Sequence, residues 1–206
     1  ILDKDKEVGT LNQAEVAINF SIPEAAVSNI KLALDLQIPV ICGTTGWLEQ
    51  YEEVTTYCKS KNTAFLYASN FSVGVNLFFK INQLVVKLMK SQSKEYTPRM
   101  QEIHHIHKLD APSGTALTLA ESLLDEKCFS EWELDGKTDK KLNIESVREG
   151  EVPGTHSITY QSQVDSISIQ HEAFSRDGFA LGAVIAAEWI LNKKGIYSMQ
   201  DVLNIS

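Results

Sequence analysis

Three short apolar runs dominate the first third of the chain: Val16 to Phe20 (VAINF), Ile38 to Cys42 (IPVIC) and Ala64 to Ala68 (AFLYA). Each is followed or preceded by a stretch whose apolar residues recur at helical spacing. Runs of this length are strands, and strands that alternate with helices lie side by side in a parallel sheet. Pro23 opens the first helix, which reads to about Gln37 with Ala25, Val27, Ile30, Leu32, Ala33 and Leu36 as its apolar stripe. A second helix reads from Leu48 to about Lys61. Sheets of this kind take ligands beyond the carboxyl ends of their strands. Those ends carry Asn19-Phe20-Ser21, Gly43-Thr44-Thr45-Gly46 and Ser69-Asn70-Phe71-Ser72, the small and polar residues of a dinucleotide-type rim. Gly-Thr-Thr-Gly on its own is also an ordinary turn.

The pattern changes after Ser72. A long helix is expected from Val75 to Lys90, with Leu77, Phe78, Ile81, Leu84, Val85 and Leu88 at core spacing. Next comes QEIHHIHKLDAPSGTA, Gln101 to Ala116, which holds Glu102, His104, His105, His107, Lys108 and Asp110 within nine positions. Three of the five histidines lie here. Packing does not ask for such a run, because these groups are costly to bury without partners. Acid–base chemistry does, since imidazole titrates near neutrality and an adjacent lysine both tunes it and attracts anions.

If Gln101 to His105 ends a strand, His104 and Lys108 share one face, with His105 and His107 on the other. A straight strand would separate His104 from Lys108 by ~13 Å at roughly 3.3 Å per residue, so joint action on one substrate needs a bend. Beyond it, Ala116, Leu117, Ala120, Leu123 and Leu124 fall at helical spacing. Ser113, Gly114 and Thr115 then begin a helix, whose first N–H groups form an anion site. These elements describe a pocket for a carboxylate-bearing substrate that needs a proton. Two other readings stay open: Ser113 as a simple helix cap, and His105 with His107 and either Glu102 or Asp110 as metal ligands.

Cys128 to Asn143 is charged and turn-rich and reads as a surface excursion containing Trp132. Strands are expected at Leu142 to Val147, Ser157 to Gln161 and Ser166 to Glu172, placing His171 on a strand in a structural role. Arg176 lies in a loop beside Gly178, where the chain would cross a cleft on its way back to the first domain, before an apolar helix from Phe179 to about Leu191. The formal charge of −8, from 27 acidic and 19 basic residues, argues against nucleic acid or an anionic membrane as partner. Cys42, Cys58 and Cys128 are scattered and read as the reduced thiols of a cytoplasmic protein.

With these residues in hand, the sequence resembles the dihydrodipicolinate reductase family of the lysine and diaminopimelate pathway over nearly its whole length. His104-His105-Ile106-His107-Lys108 through Asp110-Ala111-Pro112-Ser113-Gly114-Thr115-Ala116 is similar to the family's signature. Gly43-Thr44-Thr45-Gly46, Asn70 to Asn76, Arg148 to His156 and Ser175-Arg176 match in order and spacing. The resemblance implies an α/β enzyme of two domains. One is a Rossmann-like, parallel-sheet cofactor domain at 1–72 and 177–206. The other is an α+β, mixed-sheet domain at 73–176 that binds substrate and builds a homotetramer.

The implied reaction reduces 4-hydroxy-tetrahydrodipicolinate, a small dicarboxylate, with NADH or NADPH, and needs no metal. On the resemblance His104 is the general acid and Lys108 its partner. His105, Gly114, Thr115 and Arg176 bind substrate. Gly43, Thr44, Thr45, Ala68, Ser69, Asn70 and Phe71 line the nicotinamide, while Asp3 takes the ribose hydroxyls and Lys4 meets a 2′-phosphate. The family's opening strand and glycine-rich phosphate loop have no counterpart here, and Asn19 stands where an aspartate is more usual. The chain is therefore expected to be part of a longer protein, and by itself to bind NADH about tenfold or more weakly. Two alternatives from other classes are a metal-dependent hydrolase built on the histidine run and a non-catalytic NAD(P)-binding protein.

Overall fold

The computed structural model describes residues 2–3, 6–7, 11–136 and 140–205, without the side chains of residues 2, 3, 6, 7 and 12. In chain order the elements are β1 (Leu2–Asp3), β2 (Lys6–Glu7), β3 (Ala17–Asn19), α1 (Pro23–Asp35), β4 (Val40–Cys42), α2 (Tyr51–Lys61), β5 (Ala64–Tyr67) and α3 (Val73–Lys90). There follow β6 (Thr97–His104), α4 (Gly114–Asp125), β7 (Trp132–Leu134), β8 (Leu142–Arg148), β9 (Gly154–Gln161), β10 (Ser166–Ala173), α5 (Asp177–Ile190), β11 (Gly195–Tyr197) and α6 (Met199–Leu203). The chain separates into two units, 1–73 with 179–206, and 74–178.

The first unit is built on a four-stranded parallel sheet in the order β11-β5-β4-β3. Alternate residues of β4 and β5 explain how it is covered. Val40, Cys42 and Phe65 join Ile30, Leu34, Trp47 and Val54 in one core, whereas Ile41 and Leu66 join Ala186 and Ile190 in another. Both faces are thus dry, as a parallel sheet requires. Helix α5 lies so close to the 69–72 segment that a methyl group added at Gly182 would overlap the Phe71 carbonyl oxygen. Strands β1 and β2 pair with each other antiparallel, outside this sheet. The described opening residues therefore form a separate two-stranded sheet and do not extend it.

The second unit holds a five-stranded mixed sheet, β10-β9-β6-β8-β7, with β6 in the middle. Pairing of β6 with β9, and of β9 with β10, is antiparallel; β6 with β8, and β8 with β7, is parallel. The register sets up rows across the strands. Ile169, Ile158, Met100 and Ile144 form an apolar row that packs with Leu119 and Leu123 of α4. Two residues along, on the same face, lies the row His171, His156, Glu102 and Ser146. The next row pairs His104 with Arg148.

Three sequence expectations are corrected here. Helix α3 does not bury Leu77, Ile81, Leu84 and Leu88, which are 42, 47, 54 and 73% exposed. Of the expected stripe Phe78 is buried and Val85 half-buried; Val75, Asn76, Asn82 and Val86 turn inward beside them, and Asn82 donates to the Leu119 carbonyl at 3.0 Å. The 128–143 excursion contains an edge strand, β7, placed by pairing with β8. The C-terminal tail supplies β11 and α6 to the first unit, beyond the last helix read from sequence.

Gly182 provides a stability test. Gly182→Ala should lower unfolding free energy by about 1–3 kcal/mol, the usual range for forcing a methyl into a filled space. Urea denaturation measures it, and an unchanged midpoint would mean α5 can move off the Phe71 carbonyl at no cost.

Candidate active site

Strand β6 ends at His104, and the chain then turns: Ile106 N–H donates to the Gly150 carbonyl at 3.1 Å and Lys108 N–H to that of His105 at 3.1 Å. This is the bend that cooperation between His104 and Lys108 requires. The turn is gripped by Arg148, whose guanidinium donates to the carbonyls of Lys108 (3.2 Å) and Asp110 (2.7 Å). The Lys108 ammonium pairs with Asp110 at 2.7 and 3.0 Å. Burial pushes the Asp110 carboxyl up, but the hydrogen bond and charge of Lys108 outweigh it, leaving it below the ordinary value.

Beneath the turn sits Glu102, fully buried. Both its oxygens accept the Ser113 N–H, at 3.1 and 3.0 Å, and Oε1 accepts the Ser146 hydroxyl at 2.6 Å. Arg148 Nη2 stands 3.6 Å from Oε1, while His104 Nδ1 and His156 Nε2 stand 3.5 and 3.7 Å from Oε2. Burial alone would raise this carboxyl. The hydrogen bonds from Ser113 and Ser146, with the pull of His104, more than reverse that and hold it ionised.

His104 and His156 are 7 and 5% exposed, their rings edge-to-face at 5.0 Å. Burial lowers the pKa of both. Glu102 opposes the fall at each, whereas Lys108 and Arg148 add to it at His104. His156 is pulled down to about 3, chiefly by burial and by His104.

Helix α4 starts where expected. Ser113 is its N-cap, accepting the Ala116 N–H at 3.2 Å, and its hydroxyl lies 3.1 Å from His156 Nε2. N–H groups in a helix's first turn lie beyond reach of an intrahelical carbonyl, and Gly114 and Thr115 occupy that turn. Among the described residues, apart from its chain neighbours and its own helix's backbone, no heavy atom lies within 4 Å of where a Gly114 side chain would begin. His105 Nε2 is 2.7 Å from Arg176 Nη2, on the exposed side of the same loop.

The sheet's face thus unites Glu102, His104, Ser113, Ser146, Arg148 and His156. Of these, sequence reasoning singled out His104 alone as a catalytic candidate. Glu102 shares the strand parity of His104 and could have been found by it. His156 and Arg148 needed the cross-strand register.

The metal reading of the histidine run does not fit. His105 and His107 face the surface, the latter 3.6 Å from Glu151. Glu102, His104 and His156 converge more closely, but the Ser113 N–H and the Ser146 hydroxyl already bond to Glu102, and the Ser113 hydroxyl lies 3.1 Å from His156 Nε2.

In the first unit, Gly43-Thr44-Thr45 follows β4 and Ala68 to Phe71 follows β5, at adjacent carboxyl ends. Gly43 N–H donates to the Asn19 carbonyl (3.0 Å) and Ala68 N–H to that of Cys42 (3.2 Å), binding the three strand ends together. The Phe20 ring lies against Gly43, where a side chain would clash, and 5.5 Å from the Phe71 ring. Thr44 accepts the Ser21 N–H at 2.8 Å, and Asn70 accepts that of Ser72 at 2.9 Å. Thr45 and Ser69 are exposed at this rim. Lys4 lies outside the described residues, and Asp3 is described by its backbone alone, in β1.

Comparison with known proteins agrees in both units. The family model described as dihydrodipicolinate reductase, N-terminus, matches residues 3–71, and that for the C-terminus matches 74–203. The chain belongs to the dihydrodipicolinate reductase family. A 4-hydroxy-tetrahydrodipicolinate reductase of Christiangramia forsetii is 48% identical over 98% of this chain and 86% of its own length. One from Pelagibacter ubique is 39% identical over 95% of this chain and 78% of its own length. The dipicolinate-bound dihydrodipicolinate reductase from Paenisporosarcina sp. TG-14 superposes with a TM-score of 0.71, covering 91% of this chain and 73% of that one at 22% identity. The fold is thus that of a dihydrodipicolinate reductase, a Rossmann-like parallel sheet with a second, mixed sheet.

The buried histidines of this reductase make stability depend on pH. His104 and His156 have folded pKa values below the ordinary 6.5, so the unfolded chain binds more protons between that value and the lowered ones. Unfolding free energy should therefore rise with pH across that window and be lost progressively from pH 6.5 toward about 3. Urea midpoints measured at steps through this range should fall on acidification, and His156→Gln should flatten the dependence. A variant as steep as the parent would remove His156 from this account.

Proposed function

We propose that the protein is an NAD(P)H-dependent oxidoreductase that reduces 4-hydroxy-tetrahydrodipicolinate, with loss of water, to tetrahydrodipicolinate in lysine and diaminopimelate biosynthesis. The observation that carries this is one histidine, His104, held against a buried carboxylate next to a helix start and a lysine-bearing turn. That is what a dicarboxylate receiving a proton needs. His104 protonates the ring carbon adjacent to the reduced one. Lys108, released from Asp110 by a competing carboxylate, stabilises the charge that develops. Gly114 and Thr115 offer backbone N–H groups to a substrate carboxylate, and His105 with Arg176 stands ready for a further substrate oxygen.

The first unit is the cofactor domain, and the second binds substrate. Gly43, Thr44, Thr45, Ala68, Ser69, Asn70 and Phe71 would hold a nicotinamide at the carboxyl ends of β4 and β5. When bound, that ring supplies hydride. Asp3 and Lys4 remain the proposed ribose and 2′-phosphate contacts, so both NADH and NADPH are candidates. We place the enzyme in the cytoplasm, a reading supported by three free cysteines; no described helix is long and apolar enough to cross a membrane. A homotetramer is supported by the exposed edge strand β10 and by Val164 and Phe174, each 89% exposed beside it. Light scattering should then give about four times 22.9 kDa.

Kinetics tests the roles. His104→Gln should reduce kcat by about 100-fold with KM little changed, the size expected for a lost general acid. Unchanged turnover would remove His104 from the mechanism. Gly114→Ala should behave oppositely. Its methyl enters open space, so the fold should tolerate it, but KM should rise because the group intrudes where the carboxylate docks. Thr115→Val should likewise act on KM more than kcat.

A further inference from the structure

The Glu102 carboxylate has two chemically different sides. On the Oε1 side, the Ser146 hydroxyl oxygen already accepts from Arg148 Nη1 at 2.9 Å, so its hydrogen must go to Glu102. Arg148 Nη2 adds a second donor on that side at 3.6 Å. These groups can be met by an oxygen and by nothing else. On the Oε2 side stands His104 Nδ1, buried, 3.5 Å away and with no hydrogen bond to any other described group. His156 Nε2 is 3.7 Å from the same oxygen but is engaged with the Ser113 hydroxyl. The Ser113 N–H spans both oxygens and fixes the plane of the carboxylate.

We infer that Glu102 is a positioning residue for the reduction: it holds His104 with a proton on Nδ1, leaves Nε2 to face substrate, and through the Ser113 N–H holds the substrate-binding helix start in register with that acid. The inference rests on the reading of His104 as the general acid. An imidazole that donates from Nε2 must keep its Nδ1 proton afterwards, and that proton needs an acceptor. Glu102 is the acceptor placed for it. The charged groups around His104 are Glu102 from its own strand, Lys108 and Asp110 from the turn, and Arg148 from β8, with the His156 ring beside it. Of the two carboxylates, Asp110 is paired with Lys108, and Glu102 is the one whose Oε2 stands 3.5 Å from Nδ1.

Substitution by glutamine makes the inference sharp. Ser146 and Arg148 would claim the amide oxygen at the Oε1 position, so the NH2 group would lie at the Oε2 position and point at His104 Nδ1. A donor there forces the imidazole to accept at Nδ1 and to carry its proton on Nε2. It also opposes the imidazolium form, because two N–H groups would then confront each other. A wrongly held tautomer disables an acid–base histidine even when the geometry survives.

The experiment is two-bond 15N–1H correlation NMR on the full chain labelled with 15N-histidine, at mildly alkaline pH, with His104 assigned by its absence in His104→Gln. Wild type should show the Nδ1–H tautomer, and Glu102→Gln the Nε2–H tautomer. The glutamine variant should also lose about 100-fold in kcat, with a much smaller change in KM. Ser146→Ala, which removes a hydrogen bond to the same carboxylate but no charge, should keep the wild-type tautomer, and Glu102→Asp should keep it with intermediate turnover. An Nε2–H tautomer in wild type overturns the inference whether or not any variant folds. So does a glutamine variant with wild-type tautomer or turnover. If His104→Gln retained turnover while these tautomers appeared as expected, the acid role would fail and the positioning of the ring would stand.

Discussion

A buried carboxylate surrounded by donors is the constraint on which the second unit depends. Moving an ionised carboxylate out of water costs several kcal/mol even after the protein relaxes, on the order of what a whole domain has in reserve. Glu102 is fully buried and still ionised because the Ser113 N–H and Ser146 O–H bond to it directly. Those donors come from separate parts of the chain, the start of α4 and strand β8. Satisfying one charge therefore draws a helix start and a neighbouring strand onto β6, and the chemistry grows from the point where they meet.

Sheet register makes this possible without sacrificing the core. The apolar row Ile169, Ile158, Met100 and Ile144 lies one pleat repeat from the polar row of His171, His156, Glu102 and Ser146. Helix α4 seals the first row with Leu119 and Leu123 while its N-terminal Ser113 reaches the second. One element therefore serves packing at one end and the site at the other. A slip of one residue in β6 would turn Glu102 and His104 to the opposite face, so hydrophobic burial fixes the register that the polar row uses.

What could be read in advance follows from how local the signal is. Strand–helix alternation over 16–68 is local and gave the parallel sheet. The run from Glu102 to Thr115 is local too, and it gave the strand end, the bend and the helix start. Helix α3 shows where periodicity fails: VGVNLFFKINQLVVKLMK is apolar on more than one stripe, so spacing found Phe78 but could not choose between Leu77-Ile81-Leu84-Leu88 and Val75-Asn82-Val86 as its neighbours. The deciding contact, Asn82 to the Leu119 carbonyl, joins residues 37 apart. His156 and Arg148 were hidden for the same reason, since their meaning lies in being opposite Glu102 and His104 on neighbouring strands. Strand β11 is three residues long and carries no pattern of its own; its place comes from pairing with β5.

The network is also unequal in a way that bears on how the site tolerates change. It has one strong acceptor and many donors. If a donor such as Ser146 is lost, Glu102 keeps the Ser113 N–H and the nearby Arg148, and its charge is still balanced. If the acceptor is lost, the Ser113 N–H, the Ser146 hydroxyl and His104 Nδ1 are all stranded in a dry interior, each at a cost of about 1–3 kcal/mol. The network around His104 is thus insured against changes at its periphery and exposed to a change at its centre. The donors that bond to Glu102 come from the start of α4 and from strand β8, so its charge is balanced without any hydrogen bond from the 105–110 turn.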